Sequence, residues 1–470
     1  SRFGNVNLNN GSTWISNRGL SGYDALLANT SAGAATVNVT GTGASTMDGS
    51  GGIHLQGVQN FNVADTTGST AADLVVDLIL GARGSSGGAR GGVRKQGAGT
   101  MRVTKSATFT GALIVEGGIY QAAASTAGGD ASALGSGTAT NTIIVESGAE
   151  LLFSQNRGAG YHSADVTLNG GTITMNAVDI SLGSGSKILF DNSAGAIEGS
   201  GQWRLRDTGA NVEVTAAASG STISVSTLTL TNPITGGYVF NVADGAASSD
   251  LSVSSKIGQQ VGGESITKAG SGTLELSGAN TFNGGVAVNN GTLIVTNSSG
   301  SATGSGDVTL ASGATIAGTG SIGGNLTAAG TVAPGNSPGT LTVSGDLSST
   351  LSAIYSMEIN ANDTTVGGGI NDLLVVGQNI TLDGALYLTG INSFAGVTAG
   401  DWTLFTYGGS FTDNGIFLNA SPSLDSGYIW ELYHNSGASS FNARIVAVPE
   451  PSCALLCGLS GLVLFLRRRR

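Results

Sequence analysis

The sequence of 470 residues predicts an all-β fold built from stacked repeat units, and three observations support this. Apolar residues alternate with polar ones over short runs, which is the period of a half-buried strand. Clusters of Asn and Gly, which tolerate positive φ, separate these runs as tight turns and leave no room for helices. One pattern of strands and turns recurs within the chain, as stacked units require.

The recurring pattern is clearest between Thr267 and Asn297, where three short apolar runs alternate with Gly-bearing turns. An earlier copy lies at a constant offset, so that Lys95 falls on Lys268 and Phe109 on Phe282. The two copies keep their Gly, Phe and apolar positions but differ at polar ones. Stacked units behave in this way, because neighbouring units constrain the inward positions and leave the outward ones free.

This pattern resembles the autotransporter-associated β-strand repeat of secreted bacterial passenger proteins, with full copies at 93–123 and 266–297. The stretch 332–343 resembles the segment that follows such repeats. The resemblance implies a right-handed parallel β-helix, or β-solenoid, on the cell surface, and it does not imply an enzyme. In such a fold one coil takes about 20–25 residues, with Val, Leu and Ile stacked inside and Thr and Asn outside.

Composition separates this chain from disordered proteins and from nucleic-acid binders. It contains 78 Gly and only 10% charged residues, but it has just 6 Pro and regularly spaced β-branched residues. Disordered chains are poor in β-branched residues and rich in charge, so repetitive β-structure is favoured. The net charge of −11 disfavours nucleic acid as a partner. We expect a start that is processed or truncated, because Ser1 opens directly into turn-rich polar sequence.

Three regions are predicted. Residues 1–350 form the solenoid, with irregular rungs up to about residue 92, where Asp73 and Asp77 are interpreted as solvated strand ends. The Arg- and Gly-containing stretch 81–92 is interpreted as a solvated loop, with contact to an anionic polymer as the alternative. Residues 351–447 form a β-rich continuation or cap, because an exposed last coil would pair with other chains.

The third region, 448–470, is predicted to be a sorting signal and anchor. An apolar run from Ser452 to Leu466 would form a transmembrane helix of about 22 Å, short of the ~30 Å hydrocarbon core. Cys453 and Cys457 lie within this run and are interpreted as small apolar filler rather than a metal or redox pair. The basic residues that follow place the C-terminus in the cytoplasm and the body outside. These basic residues are Arg467, Arg468, Arg469 and Arg470.

The order of these parts resembles the PEP-CTERM sorting signal, which the membrane peptidase exosortase recognises. The resemblance assigns recognition to Pro449, Glu450 and Pro451, and the cytoplasmic anchor to the four terminal Arg residues. It implies exosortase as a partner and a transient anchor in the inner membrane before release to the cell exterior. A plain C-terminal anchor is the alternative.

Several motifs suggest chemistry but have simpler explanations. Residues 335–339 satisfy G-x-S-x-G, yet Pro338 and a following strand pattern favour a turn over a nucleophile elbow. Residues 368–373 resemble a single calcium-binding nonapeptide, but such sites need tandem copies. Core or cap positions are favoured over sugar stacking for the tryptophans. These are Trp14, Trp203, Trp402 and Trp430.

The predicted function is that of a non-catalytic structural or adhesive solenoid at the cell surface, associated with the exopolysaccharide matrix. We predict no catalytic residue, cofactor or metal site. Two alternatives stay open: a β-helix polysaccharide lyase or hydrolase, which would need clustered carboxylates with basic neighbours, and a glycan-binding surface module without chemistry.

Overall fold

The computed structural model describes residues 2–15, 25–27, 34–82, 91–124, 131–136, 142–154, 160–162, 165–176, 179–182, 185–206, 211–335 and 337–448. Nearly all regular structure in these ranges is β-strand, and the strands of successive coils pair in parallel. The all-β parallel solenoid predicted from the sequence is thereby confirmed, while its right-handed sense stays a prediction.

The first face is a ladder in which each strand pairs in parallel with the next along the chain. Its strands are Asn5–Asn9, Thr36–Thr40, Val58–Val63, Gly92–Gln96, Leu113–Val115, Thr142–Glu146, Asp165–Asn169, Ile188–Phe190, Val212–Val214, Tyr238–Val242, Ile266–Ala269, Val286–Val288, Val308–Leu310, Leu326–Ala328, Leu347–Ser349, Ile380–Leu382 and Phe411–Asp413.

A second hydrogen-bonded sheet wraps around two faces of the coil. Its strands are Arg2–Phe3, Thr13–Ile15, Ala25–Leu27, Ser45–Leu55, Ala72–Ala82, Thr100–Val103, Gly118–Ala122, Ala149–Phe153, Gly160–His162, Thr172–Met175, Asp179–Leu182, Ala196–Leu205, Ser221–Leu230, Leu251–Val253, Lys256–Gln259, Thr273–Leu276, Thr292–Val295, Thr315–Gly318, Thr331–Pro334, Ile354–Ile359, Ala385–Gly390 and Phe417–Ala420.

The longest strands of this sheet turn a corner, which separates a second face from a third. In Ala196–Leu205 the register shifts between Gly199 and Gln202, and the two halves pair with different strands. The strand Ser221–Leu230 likewise pairs with Leu251–Val253 through its first half and with Lys256–Gln259 through its second. Because Gly199 has φ +110°, the chain bends there where other residues would be strained.

Further along the chain the third face becomes a separate six-stranded sheet. Its strands are Ser321–Ile322, Thr340–Val343, Leu373–Val376, Asp401–Tyr407, Tyr428–Asn435 and Ser440–Ala447. The last two form an antiparallel hairpin, and Ser440–Ala447 also pairs antiparallel with Asp401–Tyr407. The hairpin changes the pairing from parallel to antiparallel at the end of the solenoid, within the region predicted to be a continuation or cap.

A small hairpin, Ala131–Ser132 with Gly135–Ser136, and one 3₁₀ turn, Ala216–Ala218, complete the described elements.

Coil length follows from the pairing register of the first face. Ile266 pairs with Val286, Val286 with Val308, Val308 with Leu326, and Leu326 with Leu347, so one coil takes 18 to 22 residues there. This is close to the 20–25 residues expected.

The core is one apolar cluster that runs along the whole stack. Inward residues of successive coils lie directly above one another through the parallel register. One such column, fully buried at each position, is Leu274, Leu293, Ile316, Val332, Tyr355 and Leu386. Burial of a side chain of this kind contributes about 1.5–3 kcal/mol, so the stacked columns stabilise coils that are too small to fold alone.

A ladder of side chains links the residues that precede five consecutive strands of the first face. The Oδ1 atom of Asp307 accepts a hydrogen bond from Asn325 N–H at 3.0 Å, and that of Asn325 accepts from Asp346 N–H at 2.8 Å. Asp346 repeats this with Asn379 N–H at 2.8 Å, and Asn379 with Ser410 N–H at 2.9 Å. We call this set the Asx ladder. Each side chain satisfies a backbone donor of the following coil, which fixes the corner.

The predicted terminal transmembrane helix falls on residues outside the described ranges. Among the residues that the structure does describe, no helix has the length and apolar character needed to cross a bilayer.

Candidate functional site

The residues predicted for sorting lie outside the described part of the chain, so their role stays a prediction. They are Pro449, Glu450 and Pro451, with Arg467, Arg468, Arg469 and Arg470. The same holds for Cys453 and Cys457. The candidate sites below therefore come from the solenoid.

The first repeat copy holds a fully buried lysine. Lys95 lies on an inward position of the strand Gly92–Gln96, and its Nζ donates to three backbone carbonyls. The acceptors are Gln96 at 3.0 Å, Gly97 at 2.8 Å and Gly117 at 2.9 Å. Because an ammonium has three N–H groups, all of its donors are satisfied. The first of these carbonyls belongs to the last residue of the strand, the second to the turn that follows it, and the third to the next coil.

The second repeat copy repeats this geometry at Lys268, which is also fully buried. Its Nζ donates to the carbonyls of Ala269 and Gly270 at 2.8 Å each, and to that of Asn290 at 3.1 Å. The same offset that aligns the two lysines also aligns their three acceptors. The repeat therefore reproduces a buried polar contact as well as the alternation of apolar residues.

A buried aspartate accompanies each lysine. The Oδ1 atom of Asp73 accepts from Thr66 N–H at 2.7 Å and Thr67 N–H at 2.8 Å, and its Oδ2 accepts from Thr100 N–H at 2.8 Å. The interpretation of Asp73 as a solvated strand end is wrong, because a loop and the next coil enclose it completely. Asp77 is half-exposed and lies 3.6 Å from the Lys105 ammonium.

In the second copy the matching acid is Asp250, which is fully buried. Its Oδ1 accepts from Gly245 N–H at 2.9 Å and its Oδ2 from Thr273 N–H at 2.7 Å. Thr273 and Thr100 occupy equivalent positions in the two repeats, so each acid binds the same point of the repeat that follows it.

The electrostatics of the two lysines are alike. Burial lowers the pKa of Lys95 and of Lys268 to about 8, and the charges of Asp73 and Asp250 oppose this shift. Burial acts to raise the pKa of Asp73, but hydrogen bonds from Thr100, Thr66 and Thr67 outweigh it and leave that pKa below its usual value. Both pairs are closed to solvent, so they are inaccessible to a substrate.

A further buried acid lies beside the G-x-S-x-G stretch. Ser337 lies between the strands Thr331–Pro334 and Thr340–Val343, as the turn interpretation predicted, and its hydroxyl donates to Glu358 at 3.1 Å. The two oxygens of Asp372 accept from Gly339 N–H and Glu358 N–H at 2.7 Å each. Burial, together with the Glu358 charge, raises the pKa of Asp372 to about 6 although both N–H donors oppose it. Because backbone N–H groups occupy both oxygens of Asp372, we interpret Asp372 and Glu358 as a structural contact.

The tryptophans contribute to packing. Trp203 and Trp402 are 2% and 1% exposed, so the core interpretation is confirmed for them. Trp430 is half-buried and its ring centroid lies 5.2 Å from that of Trp402, while Trp14 lies edge-on to Phe3 at 6.1 Å. Within the described ranges, no three His, Cys, Asp or Glu side chains come close enough to hold a metal ion.

Two open grooves mark the outer surface of the solenoid. The first-face groove has a volume of about 350 Å³ and is lined by Gly236, Gly237, Ser265, Ile266, Thr267, Gly284, Gly285, Val286, Ala287, Asp307 and Thr309. The third-face groove has a volume of about 390 Å³ and is lined by Gln202, Arg204, Thr227, Thr229, Lys256, Gly258, Gln259, Gln260 and Thr281. The sequence pattern identified neither, because each groove combines residues from several coils.

Comparison with known proteins confirms the repeat. Residues 93–119 and 266–295 match the sequence family described as Passenger-associated-transport-repeat. These ranges coincide with the two copies recognised from the residue pattern, and each contains its buried lysine.

The chain is also 34% identical over 120 residues to the adhesin BmaC autotransporter of Brucella suis biovar 1 (strain 1330). This similarity covers 24% of the chain and 3% of that much longer relative. The chain thus contains two stretches that match the passenger-associated transport repeat, on a parallel β-solenoid, and it is similar over part of its length to a bacterial adhesin autotransporter.

Proposed function

We propose that this protein is a non-catalytic adhesive solenoid at the cell surface. The observation that carries the proposal is the similarity to a protein named an adhesin autotransporter, together with the matched transport repeats. The architecture is suited to this role, because a rod of stacked coils presents a long outer surface that can vary without cost to the core.

The three buried aspartates are not placed to act on an external substrate. Asp73, Asp250 and Asp372 are each at most 2% exposed, and backbone N–H groups bind their oxygens. A glycosidase needs one carboxylic acid and one carboxylate that both reach the sugar. A lyase or hydrolase is therefore the second candidate, and release of reducing ends or unsaturated products from acidic polysaccharides would identify it.

We also propose the route to the surface. The C-terminal stretch 448–470 acts as a PEP-CTERM sorting signal, with Pro449, Glu450 and Pro451 recognised by exosortase and the four terminal Arg residues retained in the cytoplasm. The apolar run between them serves as a transient inner-membrane anchor. After processing, the solenoid joins the exopolysaccharide matrix. What supports this proposal is the order of motif, apolar run and basic end in the sequence.

Adhesion and sorting need separate tests. A strain that lacks the protein should bind less to host-cell or polymer-coated surfaces, and the full-length gene should restore binding. Unchanged binding of the deletion strain would reject the adhesive role. Mass spectrometry of the mature C-terminus tests sorting, because retention of Arg467 to Arg470 on all surface protein would reject processing by exosortase.

A further inference from the structure

We propose that the third-face groove binds a linear acidic polysaccharide, with a sugar ring over Gly258 and a carboxylate facing Lys256. This inference rests on the proposed adhesive function and assigns it a ligand class and a site.

The floor of the groove is Gly258, a glycine that neither a positive φ nor a close contact requires. A Cβ atom on Gly258 would meet only Thr227 Cγ2 at 3.7 Å and Thr281 Oγ1 at 3.8 Å, which are ordinary contacts. Most glycines of the repeats differ: a Cβ on Gly272 would lie 2.3 Å from Ala243 O, and Gly270 has φ +76°. Close packing therefore does not require glycine at position 258. The missing side chain leaves open space there, and this space forms the floor of the groove.

The lining matches a sugar in its polarity. The rows Gln202–Thr227–Lys256 and Arg204–Thr229–Gly258 each cross three coils through the parallel register. Amide and hydroxyl groups both donate and accept hydrogen bonds, as saccharide hydroxyls require. Adjacent strands lie about 4.8 Å apart, so these groups recur along the axis of the rod and suit a linear polymer lying along it.

Charge selects an acidic polymer. The described lining contains two basic side chains, Arg204 and Lys256, and no carboxylate, in a chain whose net charge is −11. Arg204 forms a bidentate pair with Asp179, at 2.8 Å from Nε to Oδ1 and 2.7 Å from Nη2 to Oδ2, which fixes it as a wall of the groove. Lys256 is exposed and makes no ion pair with any described residue. It is therefore free to face a carboxylate.

The first-face groove provides an internal contrast. It is of similar size, but its only charged lining residue is Asp307. An anionic polymer would be repelled there, so the two grooves are not equivalent sites.

The experiment measures binding of the purified full-length chain to polygalacturonate and to the same polymer with its carboxyls reduced. We expect binding to polygalacturonate that weakens with salt, and binding to the reduced polymer that is at least about tenfold weaker. Gly258→Gln fills the groove and should weaken binding about tenfold or more, since a ring can no longer enter. Lys256→Gln removes the charge but not the groove, so it should lower affinity for polygalacturonate alone.

Gly4→Gln is the control outside the groove, because a Cβ on Gly4 meets no atom within 4 Å; it should bind like the wild type. Equal binding by wild type and Gly258→Gln, or no binding by the wild type, overturns the site. Preference for the reduced polymer overturns the acidic ligand. Adhesion of cells that express Gly258→Gln separates this site from the wider function: full adhesion with lost polysaccharide binding shows that the adhesive role uses another surface.

Discussion

The two repeat copies, 93–119 and 266–295, share one pattern of buried positions but differ at their exposed positions. Gly97 and Gly270 share φ +76°, and Cβ atoms on Gly99 and Gly272 would each lie 2.3 Å from a carbonyl of the preceding coil. Phe109 and Phe282 are both fully buried. Together with the buried lysines and aspartates, these residues fix the path of the chain through the coil.

The outer positions diverge. In the first copy Arg94 pairs with Glu116 at 2.8 Å, and Gln96 donates to the same carboxylate at 2.7 Å. The equivalent positions of the second copy carry Thr267, Asn289 and Ala269, which form no such network. The difference shows that the repeat constrains its buried positions, including the buried polar contacts. Its exposed positions can vary, so they are available for function.

The largest expected effect comes from the buried lysines. Lys268→Met and Lys95→Met should each destabilise the protein by about 3–5 kcal/mol, because three buried carbonyls lose their donor and a buried carboxylate loses the positive charge that acts on it. Urea unfolding followed by circular dichroism measures this. Lys256→Met, an exposed control, should change stability by less than about 0.5 kcal/mol. A large loss at one lysine and none at the other would break the equivalence of the two copies.

Next come the glycines in close contact with the preceding coil. Gly272→Ala and Gly99→Ala should each cost about 1–3 kcal/mol, because the new methyl group meets backbone that must move. Thermal unfolding of the two variants tests this. Gly258→Ala is the matched control, since its Cβ has room, and it should be neutral or slightly stabilising. If all three variants behaved alike, close packing would not be the reason for the glycines.

Asp372, the third buried aspartate, tests whether a neighbouring lysine determines how the stability of the protein depends on pH. Asp372 has Glu358 rather than a lysine beside it, and its pKa rises from 3.8 to about 6. Between these values the folded state holds a proton that the unfolded chain has released. Its contribution to stability is therefore present below pH 3.8 and lost as the pH rises through 6. Asp73, whose pKa is lowered, should contribute in the opposite direction.

Urea midpoints of the wild type and Asp372→Asn, measured from pH 4 to 7, isolate this contribution. The wild type should lose stability relative to the variant as the pH rises through this window. Parallel curves would show that Asp372 titrates normally.

The smallest effect is expected at the surface. Glu116→Gln breaks the pair with Arg94, whose side chain is 38% exposed, and should cost less than about 1 kcal/mol, an effect that salt should abolish. Asn289→Gln, at the equivalent place in the second copy, should have no measurable effect. A loss of several kcal/mol from Glu116→Gln would mean that the outer face also specifies the coil. Stability at low and high salt provides the measurement.

Strand periodicity and Asn-Gly turns predict most of the solenoid, because each coil depends on local alternation and on contact with its neighbours. The sequence also aligned Lys95 with Lys268, but it did not predict their burial, since lysine is rarely enclosed without partners. Here the partners are backbone carbonyls, which leave no signal in a sequence.

The aspartates were missed for another reason. The separation in sequence between acid and lysine differs between the two copies: Asp73 precedes Lys95 by 22 residues, whereas Asp250 precedes Lys268 by only 18. A constant offset therefore aligns the lysines and not the acids.

The grooves depend on how three or more coils lie side by side, and a single sequence does not contain that information.

The Asx ladder makes the rod directional. Each Asp or Asn holds an acceptor for the coil that follows it, so a finished coil offers a template to the chain that arrives later from its C-terminal side. At Ser410 the hydroxyl instead turns back and donates to Asn379 Oδ1 at 2.8 Å. Ser410, the last residue of the ladder, therefore bonds with its side chain to the preceding coil and offers no acceptor to a following one. The stacking of coils from the N-terminal end thus stops here, and the antiparallel hairpin begins.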